Sequence, residues 1–419
     1  MTMAADKQDK VLNFSSKREQ SGTCSSSAEH EKNQGKNFLN VPTLRFPEFS
    51  GEWKKYKLGD IMEFTKERIS SSLLTEDNYV STENMLQDFQ GITHAHNVPE
   101  DTNVMEYKQG DVLVSNIRPY LKKIWMADKD GGCSADVFVM RANRNVCTDD
   151  FLHHIVANDR FIGYVMSGAK GVKMPRGDKE QMKGYETALP SLIEQQKVAH
   201  LLAIIDERII TQIRIIEGLK SLSDVICERL YNPSEKESWQ TYKYADLFSI
   251  SNERNGKLQY SNVLSASQEY GMIERNELNI DIKFEASSII NYKIVRPNQY
   301  VIHLRSFQGG FAYSDKTGVC SPAYTILVPN EKLSTAFLKY YFTSQKFINS
   351  LRIVTYGIRD GRSISVEEFL QLKVAIPDIA HQQHIVRVMR LWEEKIWIEE
   401  SYLTKLQQQK QFLLTTMFV

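Results

Sequence analysis

Long apolar runs are missing from this chain. Nowhere do about 18 apolar residues follow one another, so no membrane-spanning helix is expected. The first residues also lack the basic-then-apolar layout of a signal peptide. Cysteine is scarce: Cys24, Cys133, Cys147, Cys227 and Cys320 are odd in number and scattered. That excludes a disulfide framework and fits a reducing cytoplasm, where the protein is expected to reside. There is no excess of either charge, since 52 Lys and Arg face 52 Asp and Glu. A nucleic-acid partner would therefore have to be met by local clusters of cations. Catalytic signatures are absent as well. No glycine-rich phosphate loop, no Gly-x-Ser-x-Gly elbow and no Asn/Asp-Pro-Pro-aromatic string occurs. Nucleotide hydrolysis, nicotinamide chemistry and unaided methyl transfer to DNA lack their usual residues, and no cofactor is expected in this chain.

With 419 residues, the chain is too long for one comfortable core and should divide into domains. Residues 1–40 are rich in Ser, Lys, Gln, Asn and Glu and read as a disordered tail. Beyond them the dominant feature is an internal repeat with a shift of about 187 residues. Trp53 with Asp60 recurs as Trp239 with Asp246, and VLVSNIR ending at Arg118 recurs as YVIHLR ending at Arg305. Cys133-Ser134 falls on Cys320-Ser321, FLHHIVANDRFI on FLKYYFTSQKFI, and LPSLIEQQ from Leu189 on IPDIAHQQ from Ile376. The same order at one nearly constant offset is hard to obtain by chance.

Each repeat opens with a part that mixes short strand-like runs with short helical patterns and Gly, Asn, Asp and Pro turns, and so reads as an α/β (α+β) domain. These are expected over 41–190 and 232–377. Long helices should follow over 191–231 and 378–419. Val198, Leu202, Ile205, Ile209, Ile216, Leu219, Ile226 and Leu230 keep a 3-4 spacing that only Gln212 and Ser223 interrupt. Moved by the repeat shift, the seam becomes Ile385, Met389, Trp392, Ile396, Leu403, Leu406, Leu413 and Met417, with Glu399 and Lys410 as the polar interruptions. Such a stripe marks coiled-coil helices of roughly 60 Å. Two matched helices in one chain bury both seams most simply as an internal antiparallel pair about a pseudo-two-fold axis. The α/β domains would then sit at opposite ends of a rod.

Two chemical patterns are weighed and set aside. Pro377-Asp378 with Glu393-Glu394-Lys395 fits a loose metal-nuclease string, but its second half lies inside a heptad helix. His94, His96, His153, His154, Cys133 and Cys147 match no compact zinc spacing. Recognition chemistry remains. A glycine-flanked basic loop recurs near the end of each α/β part: Gly168-Ala-Lys170-Gly-Val-Lys173-Met-Pro-Arg176-Gly177, then Tyr356-Gly-Ile-Arg359-Asp-Gly-Arg362. Cations on loops with close backbone approach suit phosphate oxygens and base edges. Arg118 and Arg305 end equivalent strands, with Lys122 and Lys123 just beyond the first. Asn116 and His303 share one repeat position but differ in hydrogen-bonding chemistry, as expected of two domains reading different sequences.

With these residues assembled, the chain from Val41 onward resembles the specificity subunits of type I restriction–modification systems. The resemblance rests on FPEFSGEW from Phe46, on the Trp53 and Trp239 domain starts, on LPSLIEQQKVAHLLAIIDERI from Leu189, and on its weaker copy IPDIAHQQHIVRVMRLWEEKI from Ile376. It implies two target-recognition domains, each reading half of a split, asymmetric site in double-stranded DNA. It also implies helices that act as spacer and as docking surface for two methyltransferase subunits, which would bind S-adenosylmethionine and modify adenine at N6. A motor-nuclease subunit would join for restriction. The competing expectation is a non-enzymatic tether whose domains bind proteins.

Overall fold

The computed structural model describes residues 40–171, 173–232, 239–267, 270–275, 286–303, 310–356 and 363–419. The tail expected over 1–40, apart from Asn40, lies outside them, as do Arg305, Arg359 and Arg362. Short, mostly apolar runs in the first repeat form a four-stranded antiparallel sheet. Its order is Met62–Phe64, Val137–Ala142, Val112–Ser115, Ile124–Met126. The second repeat builds the same order from Phe248–Ser251, Thr325–Pro329, Gln299–Ile302 and Phe311–Ser314. In each domain a separate pair joins the first strand to the last: Lys54–Lys57 against Glu186–Leu189, and Gln240–Lys243 against Lys373–Ile376. The recurrent Asp60 and Asp246 have a local role. Their carboxylates accept the N–H of Lys57 at 3.1 Å and of Lys243 at 3.0 Å, reaching back to free donors at the start of a helical turn.

The long helices are Leu192–Leu230 and Ile379–Thr416. Ser191 caps the first by accepting from Glu194 N, and Asp378 caps the second by accepting from His381 N. The first stops where Tyr231, Asn232 and Pro233 follow. Every seam position from Val198 to Leu230, and from Ile385 to Met417, is buried or half-buried. Burial of each large aliphatic side chain contributes about 1.5–3 kcal/mol.

The direction of pairing follows from the contacts between the helices. Asp206 lies 2.5 Å from Lys410 and Gln212 lies 2.7 Å from Glu399, so one numbering rises as the other falls and the helices are antiparallel. Each domain is therefore cored by the start of its own helix and the end of the other. Val198, Leu202 and Ile205 meet Leu413, Leu414, Met417 and Phe418 around Trp53 and Phe151. At the far end Cys227 and Tyr231 meet Ile385, Val386 and Met389 around Tyr244, Phe248 and Phe369. The two-domain, helix-paired architecture expected from the repeat is the one observed.

Candidate nucleic-acid interface

In the first domain the strand Val112–Ser115 runs out into Asn116, Ile117 and Arg118. Arg118 takes a left-handed conformation (φ +49°) just before Pro119. The basic loop folds back on itself, with Lys170 and Arg176 exchanging backbone bonds of 3.1 and 3.0 Å. It then docks on the strand end. Arg118 N–H donates to Pro175 O at 2.8 Å, and Gly177 N–H donates to Asn116 O at 3.0 Å. Gly171 supplies the turn with φ +99°, a region open to glycine. At Gly177 a Cβ would stand 2.5 Å from Met182 Cε. Two features 50 residues apart in sequence thus form one surface, with Arg118, Lys170, Lys173 and Arg176 all exposed.

The charges of this surface are partly answered from within. Arg176 Nη1 lies 3.2 Å from Asp136 Oδ1, and Lys170 Nζ lies 3.5 Å from Asp178 Oδ2. Asp178 also caps the short helix Lys179–Lys183. The Gln181 N–H, with Lys170 beside it, holds its carboxyl below the usual range. Asn116 sits at the base of the surface, and its buried Oδ1 has no hydrogen-bond partner among the described residues. Tyr120 and Met174 stand exposed beside these cations in the chain, as no charge pattern had indicated. Lys122 and Lys123 point elsewhere: Lys122 pairs with Asp159 at 2.8 Å and lies over Phe89, and Lys123 donates to Thr82 O.

In the second domain His303 follows the strand Gln299–Ile302. It is half-buried, its ring edge-on to Tyr324 with centroids 5.0 Å apart. Of the second basic loop, the flanking strands Thr355–Tyr356 and Ser363–Ile364 are described and pair antiparallel.

The Gln-Gln motifs have an internal role. Gln195 is sealed in the first domain, accepting from Thr148 N and donating to Val146 O and Pro190 O. Gln382 repeats the pattern with Ser334 N, Lys332 O and Pro377 O. The change from Glu194 to His381 also has a local cause. Glu194 is buried and grips Arg45 at 2.7 and 2.8 Å while accepting from Trp53 Nε1. His381 instead lies edge-on to Trp239.

Burial drives His153 down to about 3 and holds His154 well below its ordinary value. It pushes the Cys133 and Cys147 thiols up to about 12. Among the described residues no three or more His, Cys, Asp and Glu converge as a metal site requires. Asp378 is a helix cap, and Glu393 is held by Lys339 and Tyr340. Glu393 follows Asp378 by 15 positions along the helix, about 22 Å, so the nuclease-like string forms no common site.

Comparison with known proteins follows the same two-part division. The family profile described as type I restriction modification DNA specificity domain matches residues 50–220 and again 236–408. The EcoDI specificity subunit of a type I restriction enzyme from Escherichia coli is 23% identical over 48% of this chain and 42% of its own length. The HindI specificity subunit from Haemophilus influenzae is 21% identical over 42% of this chain and 40% of its own length. Each match thus spans about two-fifths of the relative. Among solved structures, the S subunit of a type I restriction–modification system from M. genitalium superimposes with a TM-score of 0.54 at 15% identity. That alignment covers 90% of this chain and 99% of the other. A chain from a study of complex assembly in a type I R-M system also gives 0.54, at 18% identity, over 86% and 96%. At such identity these likenesses speak for the fold. Among the described residues no helix is long and apolar enough to cross a membrane. With its two matched repeats, the chain belongs to the type I restriction modification DNA specificity domain family.

Proposed function

We propose that this chain is the DNA sequence-specificity subunit of a type I restriction–modification complex, acting in the cytoplasm and performing no catalysis itself. The carrying observation is that one recognition architecture occurs twice, at opposite ends of an antiparallel helix pair. The first domain would read one half-site with Asn116, Arg118, Lys170, Lys173 and Arg176. The second would read the other with His303, Arg305, Arg359 and Arg362. Lys122 and Lys123, engaged by Asp159 and by the Thr82 carbonyl, are left out of this reading. Arginine suits bidentate contact with guanine, and lysine suits phosphate.

The helix pair would be both ruler and dock. Ile204, Ile210, Ile215 and Val225 are exposed on the first helix, and at the same repeat shift Leu391, Trp397, Tyr402 and Phe412 are exposed on the second. An exposed apolar pattern that recurs in register suits two copies of one partner. We assign those copies as methyltransferase subunits that carry S-adenosylmethionine and methylate adenine at N6, with a motor-nuclease subunit completing the restriction complex.

The test is a domain exchange. Residues 232–377 are replaced by the equivalent module of a relative, and methylated sites are mapped in cells that also express the methyltransferase. One half of the recognised sequence should change while the other is retained. Changes in both halves, or in neither, would refute two separate readers on one ruler.

A further inference from the structure

We propose that Asp136 and Asp178 suppress binding of the first domain to DNA of the wrong sequence, by occupying Arg176 and Lys170 until a matching site displaces them. This rests on reading the loop surface as a DNA interface. Four cations project there, and two are answered: Arg176 by Asp136 at 3.2 Å and Lys170 by Asp178 at 3.5 Å. Arg118 and Lys173 show no ion pair among the described residues.

The fold places the Asp178 carboxylate directly and anchors Asp136 through its main chain. Asp136 follows from its main chain, whose carbonyl accepts Asn116 N–H at 2.8 Å. Asp178 is fixed as a helix cap, accepting the N–H groups of Glu180 and Gln181 at 3.0 Å each. Nor does the loop need either ion pair for its shape. Backbone bonds from Lys170 to Arg176, from Arg118 to Pro175 and from Gly177 to Asn116 already hold it.

Exposed ion pairs are weak, so a guanine edge or a well-placed phosphate offering paired hydrogen bonds can take the guanidinium away. A duplex of arbitrary sequence offers mainly phosphates, and binds through the sequence-independent charge term. The carboxylates subtract from that term in every register. The correct site recovers the loss through base contacts. Specificity is a difference of affinities, and lowering the weaker one raises it.

The experiment measures salt-dependent binding of the full chain, assembled with its methyltransferase subunits, to duplexes of unrelated sequence. Asp136→Asn should bind roughly three- to tenfold more tightly at low salt, with a log–log salt slope steeper by about 0.9, as for one more neutralised phosphate. Asp178→Asn should act in the same direction and less, because its pair is longer. Asparagine keeps the helix cap. Adding Arg176→Ala to Asp136→Asn should abolish the gain. Unchanged or weaker binding by Asp136→Asn, or a gain that survives Arg176→Ala, overturns the proposal. A wild-type complex whose duplex binding ignores salt would sink the DNA reading and this inference together. Salt-sensitive wild-type binding with an inert Asp136→Asn would sink the inference alone.

Discussion

Gln195 and Gln382 lie inside the domains, where each side-chain amide makes three hydrogen bonds to backbone groups. Their neighbours Gln196 and Gln383 are exposed. Gln195→Ala should destabilise the first domain by roughly 2–4 kcal/mol, since it strands a backbone N–H and two carbonyls. Gln196→Ala should stay within about 0.5 kcal/mol. Domain-resolved hydrogen exchange during thermal unfolding checks both, because a two-domain chain has no single unfolding energy. Equal effects at the two positions would contradict the internal role of Gln195. Cysteine chemistry gives a second residue-scale prediction. Burial raises the Cys133, Cys147, Cys227 and Cys320 thiols to about 12, leaving roughly one part in ten thousand as thiolate at pH 8. All four should resist alkylation in the native protein and react on unfolding. Rapid native labelling of any of them would show that its site is open. These roles were half legible in the sequence, which marked the Gln-Gln pairs as recurrent. Their inward direction needed the facing loops 146–148 and 332–334.

At the scale of elements, the polar interruptions of the helix seams mark register. Gln212 and Glu399 occupy one repeat position, and only near a two-fold axis do equivalent positions of an antiparallel pair meet. They do meet, with Gln212 Nε2 donating to Glu399 Oε2 and to its backbone carbonyl. Lys410 finds Asp206. An axial slip would leave buried Gln212 and the half-buried Glu399, Asp206 and Lys410 without these partners, which is why polar seam residues set register at a cost in stability. Removing one heptad from the middle of each helix (211–217 and 398–404) keeps both flanking seams in phase and shortens the rod by about 10 Å. Methylation mapping of this variant should return both half-sites with a gap about three base pairs shorter. New half-sites at an unchanged gap would deny the helices their measuring role. The stripe itself was readable because heptad spacing is local. The direction of pairing was inferred from symmetry and is set by contacts across 187 residues.

The molecule as a whole is closed on itself. Leu44 N–H donates to Thr416 O at 3.0 Å, and Leu413, Leu414, Met417 and Phe418 complete the core around Trp53 and Phe151. Removing residues 413–419 therefore injures the domain most distant in sequence. Loss of several buried side chains, each worth about 2–5 kcal/mol, matches or exceeds the stability of an ordinary domain, about 5–15 kcal/mol. Hydrogen exchange on the truncated chain should show the segment Phe151 to Val165 losing protection while Phe337 to Phe347 keeps it. Equal loss in both segments, or none, would mean that the helix end is not part of the first core.

What the amino-acid sequence settled alone was whatever is written locally or twice: the repeat, the short strand-like runs, the two heptad helices and the lack of catalytic motifs. Repetition and periodicity survive without knowledge of distant partners. Tertiary structure decided what depends on chain segments meeting. It laid the Lys170–Arg176 loop on the strand end at Asn116 to Arg118, set Asp136 and Asp178 against two of the cations, and turned Lys122 and Lys123 toward Asp159 and Thr82. It also gave Glu194 to Arg45. Each of these pairings joins residues whose own sequence neighbourhoods look like solvated loops or ordinary helix starts. Only the packing of the domain brings the partner within hydrogen-bond reach.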